Sequence, residues 1–305
     1  MKVLVATEKP FATAAVDGIR KEIESAGNEL VLLEKYTDVH DLLSAVKDAD
    51  ALIVRSDKVN ATVFDAAENL RIVVRAGAGY DNIDTDYAKK KNIIVENTPG
   101  QNSNAVAELV LGLLVYACRS FYNGKTGSEL KGKKLGILAY GNVGRNVARI
   151  AKGFGMEIYA YDAFCPKEAI EADGVTAVDS QDDLFAGCDI VSLHIPATPQ
   201  TVKSINQELI GKMKKNAIII NTARKEVIDE MGLLEVMKTR TDLKYITDIK
   251  PDADAEFQTF EGRYFSTPKK MGAQTAEANI NAGIAAAVQI NAYFKNGCTK
   301  FQVNK

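Results

Sequence analysis

Residues 133–155, KKLGILAYGNVGRNVARIAKGFG, begin as a short apolar run and pass through two glycines into an amphipathic stretch. The run has the length of a buried strand, and the stretch after the glycines has helical spacing. A strand that turns sharply into a helix leaves the helix's first amides open at the turn, where they and the helix dipole attract an anion. Gly141 and Gly144 take the second and third glycine positions of a G-x-G-x-x-G pattern. The first position is Ala139, which serves there if its φ is negative. Ala139, Tyr140, Gly141, Asn142, Val143 and Gly144 are therefore a candidate cradle for a dinucleotide pyrophosphate. The next apolar run, EIYAYD, ends in Asp162. A carboxylate there accepts hydrogen bonds from the adenosine ribose and repels a 2′-phosphate, which selects NAD over NADP.

The same alternation runs through the chain. KVLVAT, ELVLLE, ALIVRS, RIVVRAG and NIIVENT read as buried strands, with helical patterns such as residues 11–26 and 61–69 between them. A second set follows: KKLGILAYG, EIYAYD, DIVSLHI, AIIINTA, KYITDI and RYFSTP. Strand and helix in alternation predict parallel sheets covered on both faces, so the fold class is α/β with two doubly wound, Rossmann-like domains. The join falls near Asn97-Thr98-Pro99-Gly100. Two long helical patterns, residues 103–119 and 275–295, are expected to bridge the domains. The expected boundaries are 1–98 plus 279–305 for one domain and 99–278, the dinucleotide-binding one, for the other.

Composition narrows the function. At 305 residues, two domains fit. A formal charge of -2 gives no reason to expect nucleic acid or an anionic membrane as partner. No apolar run reaches the length of a membrane span, and the N-terminal run is too short for a signal peptide. Cys118, Cys165, Cys188 and Cys298 are scattered, as reduced thiols of a cytoplasmic protein would be. His40 and His194 are the only histidines, so no metal site is expected; His40 reads as a surface helix start.

Segments quoted so far, joined by DADALIVRSDKVNATVF, RIVVRAGAGYDNID, ENTPGQNSNAVAELVLGLL, CDIVSLHIPATPQT, IIINTARKEVID and TPKKMGAQTAEA, resemble the D-2-hydroxyacid dehydrogenases, and within them the branch acting on D-3-phosphoglycerate. The resemblance covers most of the chain in the family's order. It implies a substrate domain and an NAD-binding domain, with the active site in the cleft between them, and a homodimer. It implies that Arg224 holds the substrate carboxylate and carbonyl, a task suited to a guanidinium fork. It sets Thr222 and Ala223 beside the nicotinamide and Asp248 on its carboxamide. His194, Ile195, Pro196 and Thr201 match the segment at the adenosine end, with His194 packed and hydrogen-bonded. Ala76, Gly77, Ala78 and Gly79 match the loop whose amides meet the substrate carboxylate. Arg55, Ser56 and Lys58, with Arg75, match the groups brought to the substrate phosphate.

The chain departs from the family at the acid–base pair. The family's histidine in TPHxG is absent; here the segment is TPKKMGAQT, and either Lys269 or Lys270 takes that slot, with turn length favouring Lys270. The glutamate that orients the histidine is also missing, and Ala253 stands at its spacing. The two losses agree physically. A carboxylate raises an imidazole from about 6.5 to make a usable acid, but would raise a lysine above its ordinary value of about 10.4 and spoil it as a base. The implied reaction is NAD-dependent oxidation of D-3-phosphoglycerate to 3-phosphohydroxypyruvate, in serine biosynthesis, with lysine as base. Its rivals are a hydroxypyruvate or glyoxylate reductase of the same family and a non-catalytic, NAD-sensing corepressor-like protein. The short C-terminal end suggests that no serine-sensing module follows, and hence weak serine inhibition.

Overall fold

The computed structural model describes residues 1–305, which form two compact units: Met1–Asn102 with Gln274–Lys305, and Ser103–Ala273. The first unit runs β1 (Lys2–Thr7), α1 (Thr13–Ser25), β2 (Glu29–Glu34), α2 (Val39–Val46), β3 (Ala51–Val54), α3 (Ala61–Ala66), β4 (Ile72–Arg75), α4 (Thr85–Lys90) and β5 (Ile94–Asn97). The second runs α5 (Ser103–Cys118), β6 (Lys134–Leu138), α6 (Asn142–Gly153), β7 (Glu157–Tyr161), α7 (Lys167–Glu171), β8 (Thr176–Ala177), α8 (Gln181–Gly187), β9 (Ile190–Leu193), α9 (Gln207–Gly211), β10 (Ile218–Asn221), α10 (Glu230–Thr239), β11 (Lys244–Thr247), α11 (Asp254–Gln258) and β12 (Tyr264–Ser266). The chain then returns to the first unit as α12 (Ala276–Asn296).

Both sheets are wholly parallel. The first unit has the order β2-β1-β3-β4-β5, and the second β12-β11-β10-β9-β6-β7-β8. A parallel strand is covered by helices on both faces, so its sequence loses the polar alternation of a one-sided strand. β3, β9 and β10 accordingly are buried at every position. In the first unit, Leu42, Val46, Val63 and Phe64 cover one face of the sheet, and Ala15, Ile19, Ile23, Ala286 and Ile290 the other. In the second, α5 and α6 bring Val110, Leu114, Val147 and Ala151 to one face, while Leu184, Ile210, Leu233 and Met237 fill the other.

Side-chain caps fix half of the helix starts. Asp38, Asn60, Asp84, Ser180, Asn206 and Thr275 each accept a first-turn amide, and such a cap is worth about 1 kcal/mol. α12 ends at Gly297, whose left-handed φ of 67 stops the helix.

The eleven strands read from the sequence are all present; β8, two residues long, is too short to carry a period. The unit boundaries fall a few residues inside those expected. α12 starts at its Thr275 cap and packs on α1 and β4, so its first turn already belongs to the first unit. Within the second unit α5 packs on α6, and within the first α12 packs on α1. No helix is long and apolar enough to cross a membrane.

Candidate functional site

Strand register sets out the site in the second unit. Leu138 pairs with Tyr161 and Leu193, Asn221 with Leu193 and Thr247, and Thr247 with Ser266. The residues that follow these strand ends, Ala139, Asp162, His194, Thr222, Asp248 and Thr267, therefore line one rim of the sheet. The order reverses at β6, which has β7 on one side and β9 on the other. In a doubly wound sheet, ligands bind at the C-terminal rim beside such a reversal.

At the reversal, α6 begins at Gly141, in extended backbone with no side-chain cap. The amides of Asn142, Val143 and Gly144 come before the first intrahelical acceptor is reached. A Cβ on Gly141 would meet nothing within 4 Å, whereas one on Gly144 would lie 2.4 Å from the Ala139 carbonyl oxygen. Gly144 is thus demanded by helix–strand packing, and Gly141 leaves room over the open amides. Ala139 corrects the sequence reading: its φ is 76, not negative. Two bonds hold it in this disfavoured region: its amide donates to Tyr161 O at 2.9 Å, and the next amide, of Tyr140, donates to Asp162 Oδ2 at 2.7 Å.

Asp162 also accepts from the amides of Phe164 and Cys165, at 2.8 and 2.9 Å. It thus braces the turn, and about one of the four acceptor sites of a carboxylate is left for a ribose hydroxyl. The Tyr140 side chain is not in the turn. It is buried under α6, bonded to Asp173 at 3.1 Å and stacked against Arg145, and burial pushes its phenol up to about 12. His194 is packed and bonds Ser192 Oγ through Nε2 at 2.9 Å; burial lowers its pKa to about 4. Ile195 is buried, and Thr201 knots the following loop through Pro196 O and the Thr198 amide.

After β10, Asn221 is fully buried and its side chain shapes the turn. Oδ1 accepts from Ala223 N and Nδ2 donates to Arg224 O, both at 2.9 Å. Thr222 Oγ1 is buried without a partner, an orphan that a bound ligand would satisfy. The uncapped α6 amides, the space at Gly141 and this hydroxyl together fit a dinucleotide. Arg224 Nη1 donates to Ala223 O at 2.9 Å, and Lys270 Nζ reaches the same oxygen at 3.5 Å. A guanidinium and an ammonium therefore meet at one point on the rim. Lys269 is exposed, and its carbonyl accepts from Thr267 Oγ1 at 2.8 Å.

Asp248 braces the segment that carries the two lysines. It is fully buried. Oδ1 accepts from Thr267 Oγ1 at 2.9 Å and from Met271 N at 2.8 Å, and Oδ2 from Gly272 N at 2.7 Å. Its three accepted bonds hold the lysine turn. Ala253 and Asp252 donate their amides to Glu230, at 2.8 and 3.1 Å. Sequence reasoning missed Asn221, Glu230 and Thr267. Each acts on backbone groups of a loop, and no spacing pattern announces that.

In the first unit, Ala76 N donates to Val54 O and Gly77 N to Arg75 O. Of the four amides expected to meet a carboxylate, those two are spent within the protein; Ala78 and Gly79 supply the others. Gly77 has φ 146, a conformation that other residues rarely adopt, and the Arg75 guanidinium occupies the space where a Cβ would sit. Arg55 is half-buried. Its Nη1 donates to Lys9 O and Pro10 O, its Nη2 to Asn279 Oδ1 at 2.7 Å, and it lies over the Phe11 ring. Arg75 Nε donates to Arg55 O at 2.9 Å. Ser56 and Lys58 are exposed on the same loop, which the buried Asp57 ties down through Glu8 N and the Tyr36 hydroxyl.

Comparison with known proteins gives one pattern. Residues 117–260 match the NAD-binding domain model of the D-isomer-specific 2-hydroxyacid dehydrogenases. The D-3-phosphoglycerate dehydrogenase of Methanocaldococcus jannaschii is 40% identical over 281 residues, which are 87% of this chain and 53% of that protein. The hydroxypyruvate reductase of Thermotoga maritima is 38% identical over 86% of this chain and 90% of its own length. The crystal structure of NAD+-bound 3-phosphoglycerate dehydrogenase from Entamoeba histolytica superposes with a TM-score of 0.88 at 49% identity, covering 100% of this chain and 99% of that one. The chain spans about half the length of the M. jannaschii relative.

Proposed function

The chain belongs to the D-isomer-specific 2-hydroxyacid dehydrogenases, and from that premise we propose that it oxidises D-3-phosphoglycerate to 3-phosphohydroxypyruvate with NAD, a lysine serving as the base. The observation that carries the reading is the meeting of Arg224 and Lys270 on the Ala223 carbonyl, at 2.9 and 3.5 Å. An arginine fork grips a planar α-hydroxy carboxylate in two places, and the amine beside it is within reach of the hydroxyl on the same carbon skeleton.

The residues divide the work. The amides of Asn142, Val143 and Gly144 hold the pyrophosphate, and Asp162 keeps their turn in shape while accepting from the ribose. Thr222 Oγ1 and Ala223 flank the nicotinamide, which when bound supplies the acceptor for the hydride leaving C2. Arg224 holds the carboxylate, a task in which the family resemblance also enlists the amides of Ala78 and Gly79. The phosphate falls to Lys58, Ser56, Arg75 and the free donors of Arg55. Neutral Lys270 takes the hydroxyl proton and becomes an ammonium as the carbonyl forms. In reduction, the ammonium returns that proton to the carbonyl oxygen, and Arg224 polarises the same oxygen.

Arg55 favours attention to a second reading. Three of its five donors are engaged by Lys9 O, Pro10 O and Asn279, which weakens the case for a phosphate there and suits hydroxypyruvate reduction. The test is NADH formation from D-3-phosphoglycerate set against NADH consumption with hydroxypyruvate. Arg55→Ala is expected to raise KM for the phosphorylated substrate about tenfold or more, the loss of roughly one charge-assisted bond, and to leave hydroxypyruvate untouched. Turnover of hydroxypyruvate alone sinks the first reading and supports the second. The homodimer and cytoplasmic setting belong to this proposal too, carried by the family resemblance.

A further inference from the structure

A histidine acid–base group is oriented through its own ring: one nitrogen works while a carboxylate holds the other. A lysine has one nitrogen, so it cannot be oriented that way without losing the atom that reacts, and a carboxylate on it would also stabilise the ammonium. Orientation must come from the backbone that carries it. That segment is held by one buried side chain at two amides and one hydroxyl: Asp248 accepts from Thr267 Oγ1, Met271 N and Gly272 N, at 2.9, 2.8 and 2.7 Å. Thr267 completes the clamp by donating to Lys269 O at 2.8 Å. Asp248 and Thr267 are 0% and 4% exposed, and Lys270 lies between the two anchored segments.

We propose that Asp248 is the positioning residue for Lys270, setting the ammonium at Arg224 by fixing the turn Thr267–Gly272 from inside the sheet rim. The inference rests on the reading of Lys270 as the acid–base group. Asp248 follows β11 and Thr267 follows β12, adjacent parallel strands in register at Thr247 and Ser266, so the clamp reports sheet geometry directly to the lysine turn. An acceptor-only carboxylate is required: the Met271 and Gly272 amides approach different oxygens, and an asparagine would set its NH2 against one of them.

The test uses the full chain and two variants, Asp248→Asn and Thr267→Val, with Thr267→Ser as the conservative control. Hydrogen exchange of the amides of Thr267 and residues 269–272 reads the clamp without any substrate or turnover. It is expected to speed up about tenfold or more in Asp248→Asn, as a lost buried bond would cause. Turnover then reads the consequence: kcat is expected to fall about 10²-fold, the cost of a displacement near 1 Å, with KM nearly unchanged. Should Asp248→Asn fail to fold, Thr267→Val takes its place: it loses kcat and Thr267→Ser restores it. Unchanged exchange in the turn overturns the proposal, as does a fall in kcat below about tenfold. Absence of turnover in the unaltered chain defeats the reading of function, while the exchange result still decides the clamp.

Discussion

Replacing Lys270 by alanine is expected to lower kcat for D-3-phosphoglycerate oxidation by about 10³, and replacing Lys269 by less than about tenfold. The asymmetry comes from geometry. Lys270 Nζ lies 3.5 Å from the Ala223 oxygen that also receives Arg224 at 2.9 Å, so it shares the point where a substrate carboxylate and its α-hydroxyl would sit. Lys269 contributes its carbonyl to the Thr267 clamp, a contact that alanine keeps. A positioned proton acceptor contributes about 10²–10⁴ in rate, and 10³ corresponds to about 4 kcal/mol of barrier at 1.36 kcal/mol per decade. The assay is initial NADH formation across pH, with substrate and NAD saturating. Oxidation in the parent accelerates with pH, because only the neutral amine takes a proton; the Lys270→Ala rate loses that dependence. A larger loss in Lys269→Ala, or a loss below about tenfold in both variants, refutes the assignment.

Two further outcomes test the rim. His194 is kept neutral by burial, with its pKa lowered to about 4. A group whose folded pKa lies below its unfolded one contributes stability above the unfolded value and loses it as pH falls, here between about 6.5 and 4, by up to about 3 kcal/mol. Chemical denaturation of His194→Gln over that range should show a flatter acid limb; an unchanged limb contradicts the account. Ala139 sits at φ 76, which costs a non-glycine residue about 1–2 kcal/mol, while glycine loses about 0.5–1 in backbone freedom. Ala139→Gly should therefore stabilise by about 0.5–1 kcal/mol in a urea midpoint, and destabilisation would show that the alanine methyl packs favourably in the turn.

The sheets were legible because parallel strands covered on both faces leave runs such as ALIV and IIIN, bounded by turn residues, with nothing polar inside to blur them. The dinucleotide turn was legible for the opposite reason: glycine positions there answer to contacts at one point, as the 2.4 Å approach at Gly144 makes plain. What sequence reading lost were the groups that hold loops. Asp248 carries the family's aspartate identity, yet its partners are the amides of Met271 and Gly272, more than twenty residues on. Arg55 is gripped by Asn279 across 224 positions. Neither spacing nor charge pattern records such bonds, since both depend on which strands lie side by side.

The acids nearest the missing glutamate show why the lysine site is more than a histidine site with one residue exchanged. Asp252 is paired with Lys225, Asp254 with Lys250 and the Tyr264 hydroxyl, and Glu230 with the amides of Asp252 and Ala253. The segment that in a histidine enzyme presents a carboxylate to the ring here spends its carboxylates on its own loop, and Ala253 occupies the matched place with a methyl. Orientation has moved back along the same connection, from the place of Ala253 to Asp248 at the end of β11, and from a side chain to the backbone of the lysine turn. Introducing only half of the family's histidine–glutamate pair should therefore fail in a specific way. Ala253→Glu adds an anion that favours the ammonium form of a nearby lysine, so phosphoglycerate oxidation should slow and shift to higher pH. The same change joined to a histidine at position 270 should recover part of the lost rate. Oxidation by Ala253→Glu equal to the parent across pH would mean that the two losses are unconnected.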